Sequence, residues 1–215
     1  DYVRVTGTVS EFASGTSTFT VGVASLTETQ ITPTTIELCS NSATITPTPV
    51  SLPFATLNEQ EQYESMLVTF NQTLSVTEMF LLGRDGNVSL SVNGRLFQPT
   101  NYLAPGLAAQ TLQELNNRSR IILDDGVKFQ NPDPIVYPAP GLSASNTLRH
   151  GDTVASVTGV YMQNNSRFSG SSNPFRYRLN PTLPVTFIPT NPRPTVAPNV
   201  GGTLTVASMN LLNYF

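Results

Sequence analysis

Few side chains in this chain of 215 residues have the type and spacing that catalysis needs. The one histidine, His150, precedes Gly151-Asp152, where a turn residue is the alternative to a catalytic base. Asp124-Asp125-Gly126, with Asn131 and Asp133 beyond it, offers oxygen ligands suited to Ca²⁺ but lacks the EF-hand spacing, so a solvated turn is the alternative. The sequence has no Gly-rich phosphate loop, no metal-type Cys/His cluster and no nucleophile elbow. It predicts no complete catalytic or metal site of its own.

The basic residues point instead to phosphate binding. Ten of the eleven are arginines, whose planar guanidinium suits phosphate groups. Residues 1–80 hold eight acids and one base, a net charge of −7, whereas the rest hold six acids and ten bases, a net charge of +4. Small barrels hold nucleic acid with a basic groove and aromatic stacking platforms. The candidate nucleic-acid-binding residues are Arg84, Arg95, Arg176, Tyr177 and Arg178.

The run of candidates at Arg176, Tyr177 and Arg178 has a simpler interpretation. Successive side chains of a strand point to opposite faces, so the two arginines would share one face and the tyrosine would occupy the other. A groove that uses both the arginines and the tyrosine is therefore less well supported. The alternative is a barrel strand with aromatic residues in the core and arginines in solvent.

The composition favours a β-rich protein. Thr and Val favour strands, and 17 prolines and 14 glycines interrupt helices and shape turns. No apolar run approaches the roughly 20 residues that a membrane span needs, so none is expected. The single cysteine, Cys39, cannot form an internal disulfide and is expected to be a buried, inert thiol. The Lys-poor, polar composition is typical of extracellular proteins.

The elements follow from local pattern. Residues 2–12 alternate apolar and polar side chains, which predicts a half-buried strand with a bulge or bend at Gly7. Residues 107–118 predict a helix with Leu107, Ala108, Leu112 and Leu115 on one face. Residues 58–64 predict a short helical turn, and residues 44–53 a Pro/Thr linker or an edge segment. Further strands are predicted at 18–23, 29–31, 35–38, 66–75, 76–82, 88–92, 121–123, 153–162, 176–179 and 203–209.

Two segments of the chain are similar to each other. DYVRVTGTVSEF at residues 1–12 and GDTVASVTGVYM at residues 151–162 both contain Asp, a Val two residues later and then Val-Thr-Gly. The second segment has extra residues before that tripeptide. Its string G-D-x-V-x-x-V-x-G-V resembles a strand of an OB-fold, the five-stranded Greek-key barrel often used on nucleic acids. The similarity predicts two copies of one module, in a mainly β fold with OB-fold-like β-barrel modules, one short helix and long Pro-rich loops.

A series of short blocks resembles large extracellular bacterial nucleases, in the order that this family shows. The resemblance covers most of the chain, is looser over the first 50 residues, and departs at Ser65, where the family usually has Gly. The blocks lie at residues 63–68 (YESMLV), 82–87 (LGRDGN), 94–96, 98–101, 105–106, 123–126, 131–134, 146–152 (NTLRHGD), 159–160, 177–179, 191–194 (NPRP) and 201–202.

The end of the chain, residues 204–215 (LTVASMNLLNYF), looks like the first strand of the endonuclease/exonuclease/phosphatase catalytic domain. In that superfamily an Asn after the strand helps to position the metal and the scissile phosphate, and Asn210 stands at that place. The resemblance implies that the remaining catalytic residues lie downstream. It divides the chain into residues 1–53, the C-terminal part of a first OB-like module with a linker; 54–190, a second OB-like module with an insertion; 191–202, a linker; and 203–215, the first strand of a truncated nuclease catalytic domain.

The function implied by the resemblance is that of a region ahead of a nuclease domain. We expect a secreted or cell-surface bacterial protein whose catalytic domain hydrolyses phosphodiesters of DNA, with RNA as a further substrate, using a divalent metal such as Mg²⁺, Mn²⁺ or Ca²⁺. This chain is expected to be inactive alone, to hold no cofactor, and to bind nucleic acid or to scaffold the downstream domain. The alternatives are a structural spacer or assembly module and a surface adhesion or carbohydrate-binding β module.

Overall fold

The computed structural model of the chain describes residues 2–12, 28–42, 44–127, 129–163, 177–197, 199–204 and 206–208. Within them the protein is mainly β, as the composition predicts. The strands are β1 Tyr2–Phe12, β2 Glu28–Ser40, β3 Thr48–Val50, β4 Leu67–Phe70, β5 Leu74–Glu78, β6 Val88–Ser91, β7 Arg120–Leu123, β8 Thr153–Val154, β9 Val157–Gln163 and β10 Tyr177–Pro181. The α-helices are α1 Leu82–Asp85 and α2 Leu107–Arg118, and two 3₁₀ helices span Leu57–Tyr63 and Pro99–Asn101. None of the helices in these ranges has the length and apolar character to cross a bilayer.

The strands form two sheets. β1 and β2 make a two-stranded antiparallel ribbon, and the other eight strands follow the order β3-β4-β9-β10-β7-β6-β5-β8. β9 is antiparallel to both β4 and β10, and β10 is parallel to β7. β8 pairs with β5 at the end of the order, and only Ala155 and Ser156 separate it from β9. Residues 153–163 therefore pair with strands from both ends of the sheet.

The core lies on the inner face of the larger sheet. Side chains alternate along β9, so that Val157 and Tyr161 are buried while Met162 is exposed. Tyr161 packs against Phe54 and Phe70, with ring centroids 6.5 and 6.3 Å away. Burial of each of these large side chains stabilises the fold by about 1.5–3 kcal/mol. The aromatic cluster therefore fixes the register in which β4 and β9 meet.

Gly159 permits a close approach of β9 to β10. It lies opposite Pro181, and a Cβ at this position would collide with the carbonyl oxygen of Asn180 and with Cα of Pro181. Only glycine fits where another backbone comes this near. The glycine of the Val-Thr-Gly tripeptide thus has a packing role in the strand.

Several predicted elements differ in the structure. The strand predicted at residues 76–82 is confirmed only over residues 76–78, because β5 ends at Glu78 and the chain then forms the single turn α1 from Leu82. Gly86 closes that turn with a φ of 67°, a conformation that glycine adopts without strain. The strand predicted at 203–209 is also wrong over its described residues, 203, 204 and 206–208, which have no strand. The separate strands at 29–31 and 35–38 are one strand, β2, and residues 18–23 lie outside the described residues.

The helix at residues 107–118 is confirmed, but its predicted apolar face is wrong. Leu107 is 80% exposed and Leu115 39% exposed, whereas Ala109 and Asn116 are the buried positions. The amide of Asn116 donates to the carbonyl of Phe97 over 3.0 Å, which satisfies a polar group that faces the fold. Helical spacing alone located the helix, but it could not reveal that a polar residue holds the inward face.

Cys39 differs from its prediction as well. It lies on β2 and is exposed, not buried. β2 pairs with β1 alone among the described residues, so no second layer covers this side chain. The short segment predicted as a linker or an edge carries β3, which pairs in parallel with β4 at the edge of the sheet.

Replacing Gly159 tests the close approach of β9 and β10. We expect Gly159→Ala to lower the free energy of unfolding by about 1–3 kcal/mol, the usual cost of forcing an extra carbon into a packed site. The matched control is Gly83→Ala on α1, where a Cβ would meet nothing within 4 Å. There alanine is expected to be neutral or to stabilise by about 0.5–1 kcal/mol. Urea unfolding measures both, and equal effects would contradict the packing role of Gly159.

Candidate nucleic-acid interface

Arg178, a predicted phosphate ligand, is buried and paired within the fold. It is 8% exposed, and its Nη1 donates to Oδ2 of Asp124, which is 4% exposed, over 2.6 Å. The Asn87 amide bridges the pair: its nitrogen donates to Asp124 Oδ2 over 2.7 Å and its oxygen accepts from Arg178 Nη1 over 3.0 Å. The prediction of a surface-exposed arginine is wrong here, because the guanidinium holds β10 to the end of β7.

Tyr177 is equally a structural residue. Its ring stacks on Tyr161, with centroids 5.5 Å apart and planes 5° from parallel. Its hydroxyl donates to the Glu61 carboxylate on the 3₁₀ helix. Burial raises the pKa of Tyr177 well above its ordinary value, and the bond to Glu61 raises it further. Tyr177 therefore belongs to the core, as the alternative interpretation of the strand predicts. Arg176 and Asn210 lie outside the described residues.

The other two predicted residues, Arg84 and Arg95, are exposed. Arg84 sits on the helical turn α1, and its carbonyl accepts a hydrogen bond from the backbone N–H of Asn131 over 2.7 Å. The guanidinium of Arg95 lies over the ring of Phe97, 4.8 Å from the centroid. Phe97 in turn meets Tyr102 edge to face at 5.9 Å. Arg95, Phe97 and Tyr102 form what we call the aromatic patch.

The aromatic patch presents a cation beside two rings in solvent. Phe97 is 41% exposed and Tyr102 is 67% exposed. A guanidinium over an aromatic face is held by about 0.5–1 kcal/mol at an exposed site. An exposed ring offers a face on which a base can stack, and a neighbouring arginine can neutralise a phosphate. This combination is the one that the sequence-based prediction sought on β10.

Polar contacts position the aromatic patch on the sheet. The Leu96 amide donates to Thr77 Oγ1 over 2.8 Å, and Ser91 Oγ donates to the Gly94 carbonyl over 2.8 Å. The turn that leads into the patch has positive φ at Asn93, 62°, and at Gly94, 94°. Asparagine and glycine are the residues that adopt this conformation most readily. The patch is thus anchored on both sides of Arg95 to strands β5 and β6.

Charged side chains of both signs act on His150, which lies near Arg95 and Glu78. Arg120 is paired with Glu78 at 3.5 Å. Burial lowers the pKa of His150 below its ordinary value, the Arg95 cation lowers it further, and Glu78 opposes both. His150 is therefore mainly neutral at pH 7.

The loop that contains His150 is fastened by Asn191. The side-chain amide of Asn191 donates to the His150 carbonyl over 2.7 Å, and its backbone N–H donates to Asp152 Oδ1 over 3.1 Å. Arg149 Nε donates to the Asn191 carbonyl over 2.8 Å. Two of the sequence blocks, NTLRHGD and NPRP, thus meet in space and close one loop on another. The turn interpretation of His150 fits this arrangement.

The carboxylates of Asp124 and Asp125 both accept hydrogen bonds from within the chain, although Asp125 Oδ2 is buried without a partner among the described residues. Asp124 Oδ1 accepts the Gly126 N–H over 2.7 Å, and Asp125 Oδ1 accepts the Val127 N–H over 2.9 Å. Burial raises the pKa of the Asp125 carboxyl, and the neighbouring Asp124 adds to this rise. In the part of the chain that the structure describes, no group of three or more His, Cys, Asp or Glu residues could hold a metal ion.

Sequence reasoning missed two residues of the patch, Phe97 and Tyr102. They lie in a stretch that reads as irregular, between Gly94 and the prolines Pro99 and Pro105. The available signal was an arginine and an aromatic residue two positions apart in a polar loop. Loop residues carry binding functions more often than buried strand residues do.

Comparison with known proteins identifies no relative of this chain. No protein-family model, no curated protein and no solved structure matches this chain. The candidate interface is therefore defined by its own geometry: an exposed guanidinium 4.8 Å from an exposed ring, on a segment anchored to the sheet.

The buried ion pair makes a quantitative prediction. Arg178→Met leaves Asp124 buried without its cation, so we expect a loss of about 3–5 kcal/mol in the free energy of unfolding. The double variant Arg178→Met/Asp124→Leu removes both charges and is expected to recover most of that loss. Urea denaturation of both proteins measures the difference. A loss below about 1 kcal/mol for the single variant, as for a solvated pair, would contradict the buried pairing.

His150 reports on the charge of the aromatic patch. Because Arg95 lowers the pKa of His150, Arg95→Ala is expected to raise that pKa towards 6.5, and Glu78→Gln to lower it. The folded state binds the proton less readily than the unfolded state, so this group's stabilising contribution is present above pH 6.5 and is lost as pH falls through the lowered pKa. Proton NMR of the single histidine gives the titration directly. An unchanged pKa in Arg95→Ala would show that the two groups do not interact.

Proposed function

We propose that this chain is a non-catalytic, nucleic-acid-binding region of a secreted, metal-dependent nuclease, and that its larger sheet is an OB-like unit. The observation that carries the proposal is the aromatic patch, where Arg95 lies over the exposed ring of Phe97. The ligand is an unpaired strand of DNA, with RNA as a further ligand, because exposed rings stack on bases that are not already stacked in a duplex.

The strand pairing supports the OB-like unit. β5 pairs with β6, β6 with β7, β7 with β10 and β10 with β9. β8 pairs with β5 and leads after two residues into β9, which links the two ends of this series. The series has one parallel pair, β7 with β10. A five-stranded Greek-key barrel of the OB type would have this order of neighbours.

The position of the arginines fits such a unit. OB-folds hold their ligands over strands 2 and 3 and the loops between strands 1 and 2 and between strands 4 and 5. With β5 as the first strand, Arg84 lies in the first of these connections and Arg176 in the second. Arg95 lies four residues beyond the end of β6, the second strand. The two described arginines, Arg84 and Arg95, are exposed and would then border the ligand-binding face of such a unit.

The nuclease context rests on the resemblance of the sequence blocks. Asn210 is the one residue of catalytic type that the resemblance assigns to this chain, and one amide cannot hold a metal ion. Mg²⁺, Mn²⁺ or Ca²⁺ would have no ligand set among the described residues, so we assign no step of phosphodiester hydrolysis to them. Hydrolysis would belong to the catalytic domain, and this region would deliver or position the strand.

Two other functions make different predictions. A structural spacer is favoured by the burial of Tyr177 and Arg178, because both serve the fold rather than a ligand. It predicts no binding of polyanions. A carbohydrate-binding or adhesion module would also use exposed rings such as Phe97, but it would depend little on Arg95 and little on salt.

A binding titration distinguishes these functions. Fluorescence anisotropy with labelled single-stranded and double-stranded DNA, at low and then moderate salt, is expected to show salt-sensitive binding that prefers the single strand. Phe97→Ala and Arg95→Ala are each expected to weaken it about tenfold, within the range of about 1–3 kcal/mol for a stacked base.

The control variant is Arg193→Ala, which removes an equal charge from an exposed position in the segment that follows β10. It should leave the affinity within about twofold of the original. No binding even at low salt would eliminate the nucleic-acid role and favour the spacer. Binding that Arg193→Ala weakens as much as Arg95→Ala would show a general charge effect and no site at the aromatic patch.

A further inference from the structure

The β1–β2 ribbon exposes an apolar face. Among the described residues, β1 and β2 pair only with each other, so β1 has one edge with no strand beside it. One face of the ribbon carries six aliphatic side chains that are 41–63% exposed. They are Val3, Val5, Val9, Ile31, Ile36 and Leu38. Single exposed apolar residues are ordinary, but a contiguous set on one face marks an interaction surface.

The ribbon has the same register as the β9–β10 hairpin. Val-Thr-Gly at residues 5–7 of β1 corresponds to Val-Thr-Gly at residues 157–159 of β9. The partner strands correspond as well, with Q-I-T-P-T at residues 30–34 and R-L-N-P-T at residues 178–182. Gly7 lies opposite Pro33 as Gly159 lies opposite Pro181, and the next four pairs along each hairpin coincide. The two hairpins are therefore two copies of one element.

The close contacts at the glycines agree too. A Cβ on Gly7 would collide with the carbonyl oxygen of Thr32 and Cα of Pro33, which are the counterparts of the atoms that Gly159 meets. One residue beyond each proline, a threonine bonds to the carbonyl of the threonine before the glycine. Thr34 Oγ1 donates to Thr6 O over 2.9 Å, and the Thr182 N–H donates to Thr158 O over 3.1 Å. Sequence, register and packing thus give the same correspondence.

The two copies differ in what covers them. Val157, Tyr161 and Leu179 are 0–2% exposed, in a sheet that β4 extends beyond β9 and β7 extends beyond β10, and Phe54 and Phe70 pack against Tyr161. Their counterparts Val5, Val9 and Ile31 are 41–63% exposed. The ribbon therefore exposes the apolar side chains whose counterparts the β9–β10 hairpin buries.

We propose that the ribbon is a docking surface for a partner polypeptide that adds an extended strand antiparallel to β1 over residues 5–8. This is the position that β4 takes on β9, where Val68 lies opposite Gly159 and Phe70 opposite Val157. The strand has aliphatic or aromatic side chains at alternate positions, as Val68 and Phe70 do in β4, and they cover Val5 and Val9. Main-chain hydrogen bonds supply affinity, and the alternating side chains supply specificity.

An added strand pairs the free backbone groups of β1, which a second copy of the chain packed face to face would not do. A second ribbon would cover the aliphatic face but would leave the backbone groups on the outer edge of β1 unpaired. An added strand pairs that edge, and its side chains on the aliphatic face pack beside Val5 and Val9. The opposite face needs no cover, since it carries Arg4 paired with Glu37 at 3.7 Å and the threonines Thr6 and Thr8.

The test uses the full chain and a labelled peptide of residues 65–73, SMLVTFNQT, which contains β4, the natural cover of the matching hairpin. Fluorescence anisotropy is expected to show saturable binding. A peptide with Val68→Asp and Phe70→Asp is expected not to bind. In the chain, Val5→Thr/Val9→Thr keeps β-branched side chains and removes the apolar surface, so binding is expected to weaken at least tenfold. Thr6→Val/Thr8→Val, the matched change on the opposite face, should leave it unchanged.

Three outcomes would overturn the proposal. The first is equal peptide binding by the original chain and Val5→Thr/Val9→Thr. The second is no saturable binding by the original chain while circular dichroism shows that its strands are intact. The third is a concentration-dependent dimer without peptide, seen by sedimentation and lost in Val5→Thr/Val9→Thr, which would identify a second copy as the occupant. None of these depends on nucleic acid, so the aromatic patch is tested separately.

Discussion

The close approach of β9 and β10 at Gly159 is the constraint on which the larger sheet depends. Because glycine leaves no Cβ, the carbonyl of Asn180 can lie against it, and β10 can stay in register with β9 along five residue pairs. β10 then reaches β7 on its other side, so that Arg178 meets Asp124. Displacing β10 would break its parallel pairing with β7, which joins β3-β4-β9-β10 to β7-β6-β5-β8. It would also leave both charges of a buried ion pair without a partner.

The same constraint explains where a ligand can and cannot bind. Residues of β10 serve the interior: Tyr177 completes the stack on Tyr161, and Arg178 neutralises Asp124. A buried arginine that already has a carboxylate gains little from a phosphate, because it would have to leave one charged partner for another. An arginine on an exposed loop does not have to leave a buried carboxylate in order to bind a phosphate. Arg95 sits on such a loop, with Phe97 beneath it, and the loop is tied to β5 and β6 by hydrogen bonds that do not involve the guanidinium.

The features of the fold that depend on local sequence pattern could be predicted from the sequence. The β-rich class and the bounds of the helix at residues 107–118 follow from periodicity and composition, and the Val-Thr-Gly similarity singled out the two segments that share a register. Long-range partners decided the rest. The sequence does not show that Asp124 pairs with Arg178, 54 residues later in the chain. Nor does it show that Asn116, and not a leucine, is the buried side chain of the helix. Of the aromatic patch the sequence indicated only Arg95, because Phe97 and Tyr102 lie in an irregular loop.

Photo-cross-linking to a 5-iodouracil-substituted single strand of DNA locates the contact between chain and nucleic acid most directly. The bound complex is irradiated, digested and sequenced by mass spectrometry. If the aromatic patch holds the unpaired bases, the cross-links fall on Phe97 or Tyr102, because an iodouracil ring reacts with the aromatic ring that it stacks on. Cross-links confined to other segments would contradict the assignment of this site, provided that the substituted strand binds with the same affinity as unsubstituted DNA.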